Sequence, residues 1–218
     1  SDLEERIKTG VDSEIVEGRI QLSPVEGFGT GYVATKDLSE GDALLFDTAF
    51  VSAPLDGNQE PHFIMAEKAM RRGKNAARRT SARADAQADF YHDRIKALPT
   101  KGNVDRKWLE ENTLDVDVVE QVLVCAVAEG CHLWCSQEPN HVALFPAAAF
   151  LNHSCAPNAS LESTRTTLVV RAARNVAKGE EVTISYLPPQ LLEDAKGRRY
   201  RLNEGRGFDC RCARCKAE

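Results

Sequence analysis

The chain has 218 residues, of which 42% are hydrophobic and 28% charged, with a formal net charge of −5. That length supports one core, or one core with an inserted lobe, and the apolar content excludes a wholly disordered chain. The acidic balance excludes broad sequence-independent binding to nucleic acid and makes a basic peptide the more natural partner, while no apolar run approaches the roughly 18 residues of a membrane span.

The polar start Ser1-Asp2-Leu3-Glu4-Glu5 contains no apolar signal core, and a soluble protein is expected. Because the first residue is not Met, a flanking leader or domain stays open. From Arg19 to Pro54 the text reads as strands: Arg19–Pro24, a glycine turn, Tyr32–Thr35, a turn at Lys36–Asp42, and Ala43–Thr48. From about Glu60 to Gly130 apolar residues recur at helical spacing. Phe63, Met65, Ala66 and Met70 predict one helix, Phe90, Tyr91, Ile95 and Leu98 a second, and Val118, Val119, Val122, Leu123, Ala126 and Val127 a third. Strand character returns at Leu161, Thr166–Arg171 and Glu181–Tyr186, with a turn at Lys178-Gly179-Glu180. A charged helix is predicted over Leu191–Leu202, leading into a cysteine-rich tail. Strands, a helical block and strands again predict an α+β arrangement: a β domain interrupted by an α insertion.

Seven cysteines are an odd number, and three stand as Cys210-x-Cys212-x2-Cys215. This spacing fits metal ligation in a reducing compartment, cytosol or nucleus, better than a disulfide framework. Cys155, in Phe150-Leu151-Asn152-His153-Ser154-Cys155-Ala156-Pro157-Asn158, supplies a fourth thiol, the number that a closed tetrahedral zinc site needs. Cys125, Cys131 and Cys135 with His132 and His141 form a rival set. Cysteine also packs as a small hydrophobe, and the apolar segment Val122–Trp134 makes these three more natural as core. A further reading makes Cys155 a nucleophile activated by His153, as in cysteine hydrolases. A zinc-bound thiolate cannot do that work, so the two readings exclude each other.

Four segments in order, Val25–Ala34 with its Gly27-x-Gly29-x-Gly31 run, Leu151–Asn158, Gly179–Tyr186 and the cysteine tail, resemble the SET-domain protein lysine methyltransferases. The resemblance covers roughly residues 17–54 and 142–216 and leans toward the branch whose SET domain is split by a MYND finger. No cysteine precedes Cys125, so the finger's cysteine set is absent from this sequence. The family fold implies several small curved β-sheets, a helical insertion and a zinc-bound post-SET tail. The implied division is 17–54 and 142–190 for the SET domain, 55–141 for the insertion and 191–218 for the tail.

The resemblance further implies two cofactors, S-adenosylmethionine and Zn2+, and a protein or peptide substrate bearing a lysine, a histone included. It assigns Gly27, Phe28, Gly29 and Thr30 to the methionine portion of S-adenosylmethionine, Asn152 to its amino-acid end and His153 to its adenine and ribose region. Tyr186 is implied as the catalytic residue and, with Phe208, as part of the cofactor pocket and lysine channel. The zinc ligands are Cys155, Cys210, Cys212 and Cys215. Related sequences often carry Tyr two residues before Phe208, where this chain has Arg206. That departure leaves open a non-enzymatic SET-fold module that binds a partner peptide.

Overall fold

Short β-branched and apolar runs separated by glycine turns become strands, as their composition favours. The computed structural model describes residues 13–57, 61, 63–69, 111, 131, 133–187 and 193–218. The strands in chain order are β1 (Ser13–Ile15), β2 (Ile20–Val25), β3 (Gly29–Ala34), β4 (Ala43–Thr48), β5 (Val51–Pro54), β6 (Leu133–Trp134), β7 (His141–Leu144), β8 (Asn152–His153), β9 (Ala159–Ser163), β10 (Thr167–Ala172) and β11 (Glu181–Ile184). Two helices close the chain, α1 (Ala195–Arg206) and α2 (Ala213–Ala217).

The described residues fall into two compact units, one drawn from 1–48 and 147–218, the other from 49–146. The first contains two four-stranded sheets, β1-β4-β10-β9 and β2-β3-β11-β8. In β10, Leu168, Val169 and Val170 are all buried, the continuous apolar run of a strand covered on both faces. β11 alternates instead, with Val182 and Ile184 buried and Glu181 and Thr183 half-buried.

β11 organises the second sheet. It pairs antiparallel with β3, Val182 opposite Tyr32, and parallel with β8, Thr183 opposite Asn152 and Ile184 opposite His153. One strand therefore sets the glycine hairpin on one side and the Asn-His pair on the other. The hairpin between β2 and β3 turns through Glu26–Phe28, where the Phe28 N–H donates to the Val25 carbonyl at 3.0 Å. Gly27 (φ 76°) and Gly29 (φ 77°) occupy the left-handed region there, which a Cβ disfavours.

The segment entering β8 is pinned from two directions. Tyr32 donates its hydroxyl to the Ala147 carbonyl (3.1 Å), and the buried Asp47 carboxylate accepts from the Ala148 N–H (2.9 Å), the Thr48 N–H (2.9 Å) and the Ser13 hydroxyl (2.6 Å). Burial raises the Asp47 pKa from 3.8 to about 6, against the lowering effect of those donors. A raised carboxyl pKa means that the folded state binds the extra proton. Its stabilising contribution is full below about pH 4 and is lost as pH rises through 6. Asp47→Ala is expected to remove that pH slope and to cost about 2 kcal/mol by orphaning the Ala148 N–H. Urea unfolding at pH 4 and pH 7 reads both effects.

The second unit carries the sheet β5-β7-β6. Residues 63–69 are helical, with Met65, Ala66 and Ala69 buried, and Lys68 donates to the Ser52 carbonyl at 2.7 Å. Cys131 and Cys135 are buried. Met70, Cys125, His132 and the helices expected around 90–98 and 118–127 lie outside the described residues.

Several boundaries differ from expectation. The charged helix begins at Ala195 rather than Leu191, because Asp194 caps it: its carboxylate accepts from the Gly197 N–H at 2.8 Å. The helix also runs past Leu202 to Arg206 and ends where Gly207 (φ 76°) turns left-handed, returning its N–H to the Asn203 carbonyl at 2.8 Å. β11, expected to reach Tyr186, stops at Ile184, because the Tyr186 N–H leaves the ladder for a side chain of β8.

Candidate functional site

Cys155 follows β8, Cys210 and Cys212 lie between α1 and α2, and Cys215 sits on α2. Their four sulfurs lie within 4.8 Å of one another, with Cys155 3.5 Å from Cys215 and 3.8 Å from Cys210. A tetrahedron with sulfurs about 2.3 Å from a zinc ion spaces them about 3.8 Å apart, whereas a disulfide needs about 2.05 Å. The donor set therefore fits a tetrathiolate zinc centre. Four thiols this close cannot all ionise without a cation. Burial pushes the Cys155 and Cys210 thiols up, while Cys212 falls to about 6 because backbone N–H groups of Cys215 and Cys155 outweigh its burial. No other group of three metal-capable side chains occurs among the described residues, and Cys125 and His132 of the rival set lie outside them.

Basic side chains surround the sulfurs. Arg198 is 2% exposed, donates to the Cys215 sulfur at 3.4 Å and pairs with Glu218 at 3.1 Å. Burial works against its charge, yet the Cys215 and Cys155 sulfurs and Glu218 push its pKa further up. Four thiolates around a divalent ion leave the centre net anionic, and a buried guanidinium is the complementary charge. Arg199 donates to the carbonyls of Cys215 (2.7 Å) and Cys210 (3.2 Å), and Arg214 to that of Cys155 (3.3 Å). Ala195 and Leu202 of α1 pack with Cys210 and Cys215, so α1 supplies the small core that the tail's own sequence lacks.

His153 links this cluster to Tyr186. Its Nδ1 accepts from the Tyr186 N–H at 3.0 Å, so the ring proton sits on Nε2, which faces the Cys155 sulfur at 3.2 Å. Burial, then the charges of Arg198 and Arg206, lowers the imidazole pKa to about 4, and the ring is neutral. A hydrolytic Cys–His pair requires a thiol pulled down beside a charged imidazole. Both shifts run the opposite way here, and Cys155 already belongs to the sulfur cluster. The nucleophile reading fails on geometry and on charge.

Tyr186 donates its hydroxyl to the Leu151 carbonyl at 2.6 Å. Phe208 meets its ring edge-on at 6.3 Å, the His153 ring lies at 5.3 Å, and the Arg206 guanidinium sits over the Tyr186 face at 5.2 Å. Asn152 donates to Glu181 at 2.8 Å, leaving its Oδ1 with no partner among the described residues. The third glycine of the run explains itself at this point. A Cβ on Gly31 would lie 2.6 Å from Asn152 Nδ2 and 2.9 Å from Glu181 Oε1, so only glycine lets β3 lie against that pair.

Tyr186, Phe208, Asn152, His153 and the four cysteines are thus brought together. Gly27, Phe28, Gly29 and Thr30 are exposed at the hairpin tip and connect to the group through Gly31. Arg198 carried no assignment in the sequence, although Ala195 and Leu202, three and four residues away, share its helical face. Asn158 likewise went without a role. It is 1% exposed, donates to the Glu181 carbonyl (2.8 Å) and accepts from the Thr183 N–H (2.8 Å), fastening the cysteine loop to β11.

A SET domain family model matches residues 29–187. The protein-lysine N-methyltransferase SMYD4 of Mus musculus is 44% identical over 75 residues, 34% of this chain and 9% of the relative. The histone-lysine N-methyltransferase ASHR1 of Arabidopsis thaliana is 41% identical over 86 residues, 38% of this chain and 18% of the relative. These matches span less than a fifth of either relative's length. The crystal structure of the SET domain of LSMT bound to methyl-lysine and AdoHcy has the same fold, at 15% identity and TM-score 0.59, covering 96% of this chain and 56% of that one. By both its sequence segments and its sheet topology, the chain belongs to the SET domain family.

Proposed function

We propose that this chain is a protein-lysine N-methyltransferase that uses S-adenosylmethionine and acts on lysines of histones or other proteins. Cys155, Cys210, Cys212 and Cys215 hold its zinc ion, and a reducing compartment, nucleus or cytoplasm, is where such thiolates persist. The observation that carries the reading is that β11 lies between the Asn-His strand β8 and the glycine-bearing strand β3, while Tyr186, two residues beyond it, packs against Phe208 of the cysteine tail. The SET domain comprises 17–54 and 142–190, the insertion 55–141 and the tail 191–218.

The residues present fit the methyl donor. The glycine-edged hairpin offers open backbone at Gly27 and Gly29, where an added Cβ would meet nothing within 4 Å, and Asn152 Oδ1 is available as an acceptor for an ammonium. Both ring nitrogens of His153 serve the protein, so it meets the adenine and ribose region through its ring face or its backbone. When bound, S-adenosylmethionine supplies an electrophilic methyl group on a sulfonium.

The lysine amine has to arrive neutral, and a free lysine titrates near ~10.4. Desolvation against Tyr186 and Phe208 favours the neutral form. Because the Tyr186 proton is committed to Leu151, the phenol oxygen presents lone pairs. It accepts from an amine N–H and so aims the nitrogen lone pair; it orients and does not deprotonate. Phe208 and His153 hold the ring that does this.

One observation favours a second reading, the peptide-binding module without turnover: Arg206 covers the Tyr186 face where related sequences often have Tyr. Calorimetry with S-adenosylmethionine followed by a transfer assay on core histones separates the two. Binding with methyl groups delivered to lysine is expected. Binding without transfer favours the module, and the lack of any binding contradicts both.

A further inference from the structure

We propose that Glu181 selects a methyl donor carrying a free ammonium: its carboxylate turns the Asn152 amide so that Oδ1 is the end left for the ligand, and supplies the negative charge behind that amide. The inference rests on the assignment of Asn152 to the donor's amino-acid end made above, and it adds a positioning residue that acts through Asn152.

β8 and β11 bring the two side chains together. Thr183 stands opposite Asn152 in their parallel pairing, and Glu181, two residues earlier on β11, projects from the same face as Thr183. Its backbone is clamped. The buried Asn158 side chain donates to the Glu181 carbonyl at 2.8 Å and accepts from the Thr183 N–H at 2.8 Å, gripping the strand on both sides of Val182. Gly31 of β3 lies against the same pair, where an added Cβ would stand 2.6 Å from Asn152 Nδ2 and 2.9 Å from Glu181 Oε1.

A primary amide has a donor end and an acceptor end of similar size, so its shape does not decide which one meets a ligand. A carboxylate only accepts. The 2.8 Å contact therefore fixes Nδ2 toward Glu181 Oε1, since a reversed amide would set two acceptors face to face. Oδ1 is then the end that can accept from an ammonium. The charge follows the same path. Glu180, the preceding residue, is committed to Arg174 at 2.6 Å and to Asn158 at 3.0 Å. Among the described residues the Glu181 carboxylate contacts the Asn152 amide instead and forms no ion pair. A single amide then lies between this carboxylate and an ammonium held at Oδ1, and unit charges so close in a half-buried site still attract. A ligand without the positive charge gains neither effect.

The test is calorimetry on the zinc-loaded chain with two probes, S-adenosylhomocysteine and its analogue in which hydrogen replaces the α-amine. Wild type is expected to prefer the amine-bearing probe by at least about tenfold, the scale of a hydrogen bond to a charged group. Glu181→Gln, which keeps the size and an acceptor but loses the charge, is expected to bind S-adenosylhomocysteine about tenfold more weakly and the analogue as wild type does. Glu181→Asp, which keeps the charge, is expected to retain most of the preference. A merely structural role would weaken both probes alike. Three results overturn the role of Glu181: a wild type indifferent to the amine, an undiminished preference in Glu181→Gln, or equal loss of both probes in Glu181→Gln and Glu181→Asp. Two others lie upstream and take this inference with them. An undiminished preference in Asn152→Ala overturns the assignment of Asn152, and a wild type that binds neither probe overturns the cofactor reading.

Discussion

Stripping zinc from the protein with a chelator, or replacing Cys212 by Ser, is expected to abolish methyl transfer and to unfold residues 195–218 while the two four-stranded sheets persist. The tail has little else to hold it. Its core is Cys210 and Cys215 packed on Ala195 and Leu202, and α2 has five residues, too few to stand alone. Structural zinc contributes about 10–16 kcal/mol at neutral pH, far more than such a core supplies. Without the ion, the buried Arg198 guanidinium also loses the anionic centre it faces, which adds to the cost. Phe208 stands two residues before Cys210 and leans edge-on against Tyr186, so disorder in the tail dismantles the ring cluster. Hydrogen exchange is the measurement: protection is expected to vanish across 195–218 and to remain in β4 and β10. Full turnover by the stripped protein would contradict the coupling of metal to site.

Tyr186→Phe is expected to lower kcat about 100-fold, the scale of losing orientation of a reacting group, while S-adenosylmethionine binding changes little. The ring contacts to Phe208 and His153 survive in the variant. What disappears is the phenol oxygen, and with it the acceptor that aims the amine and the donor to the buried Leu151 carbonyl. The stability cost is about 1–2 kcal/mol, since one buried carbonyl loses its partner. Steady-state kinetics combined with a thermal melt distinguishes the two contributions. A variant that keeps wild-type kcat would remove Tyr186 from the chemistry.

The sequence displayed this site unevenly, for physical reasons. β4 was legible with its bounds because Ala43–Thr48 is a short apolar run between turn residues. The sulfur cluster was legible because a C-x-C-x2-C spacing has few other uses in a reducing compartment. β8 was not, since two residues carry no periodicity and their strand character comes from parallel pairing with β11. The start of α1 was misplaced because the capping power of Asp194 depends on where its carboxylate points, not on composition. Arg198 stayed hidden because arginine is almost never fully buried, and only the sulfurs it faces make its burial tolerable. Arg206 was visible as a departure from related sequences, but its stacking on Tyr186 required coordinates.

Zinc K-edge X-ray absorption on the purified protein tests most directly whether one ion joins Cys155 to the tail. The expected spectrum shows a single shell of four sulfurs at about 2.3 Å, reduced to three when Cys155 is replaced by Ser. A shell containing nitrogen or oxygen in wild type, or one indifferent to the Cys155 substitution, would contradict it.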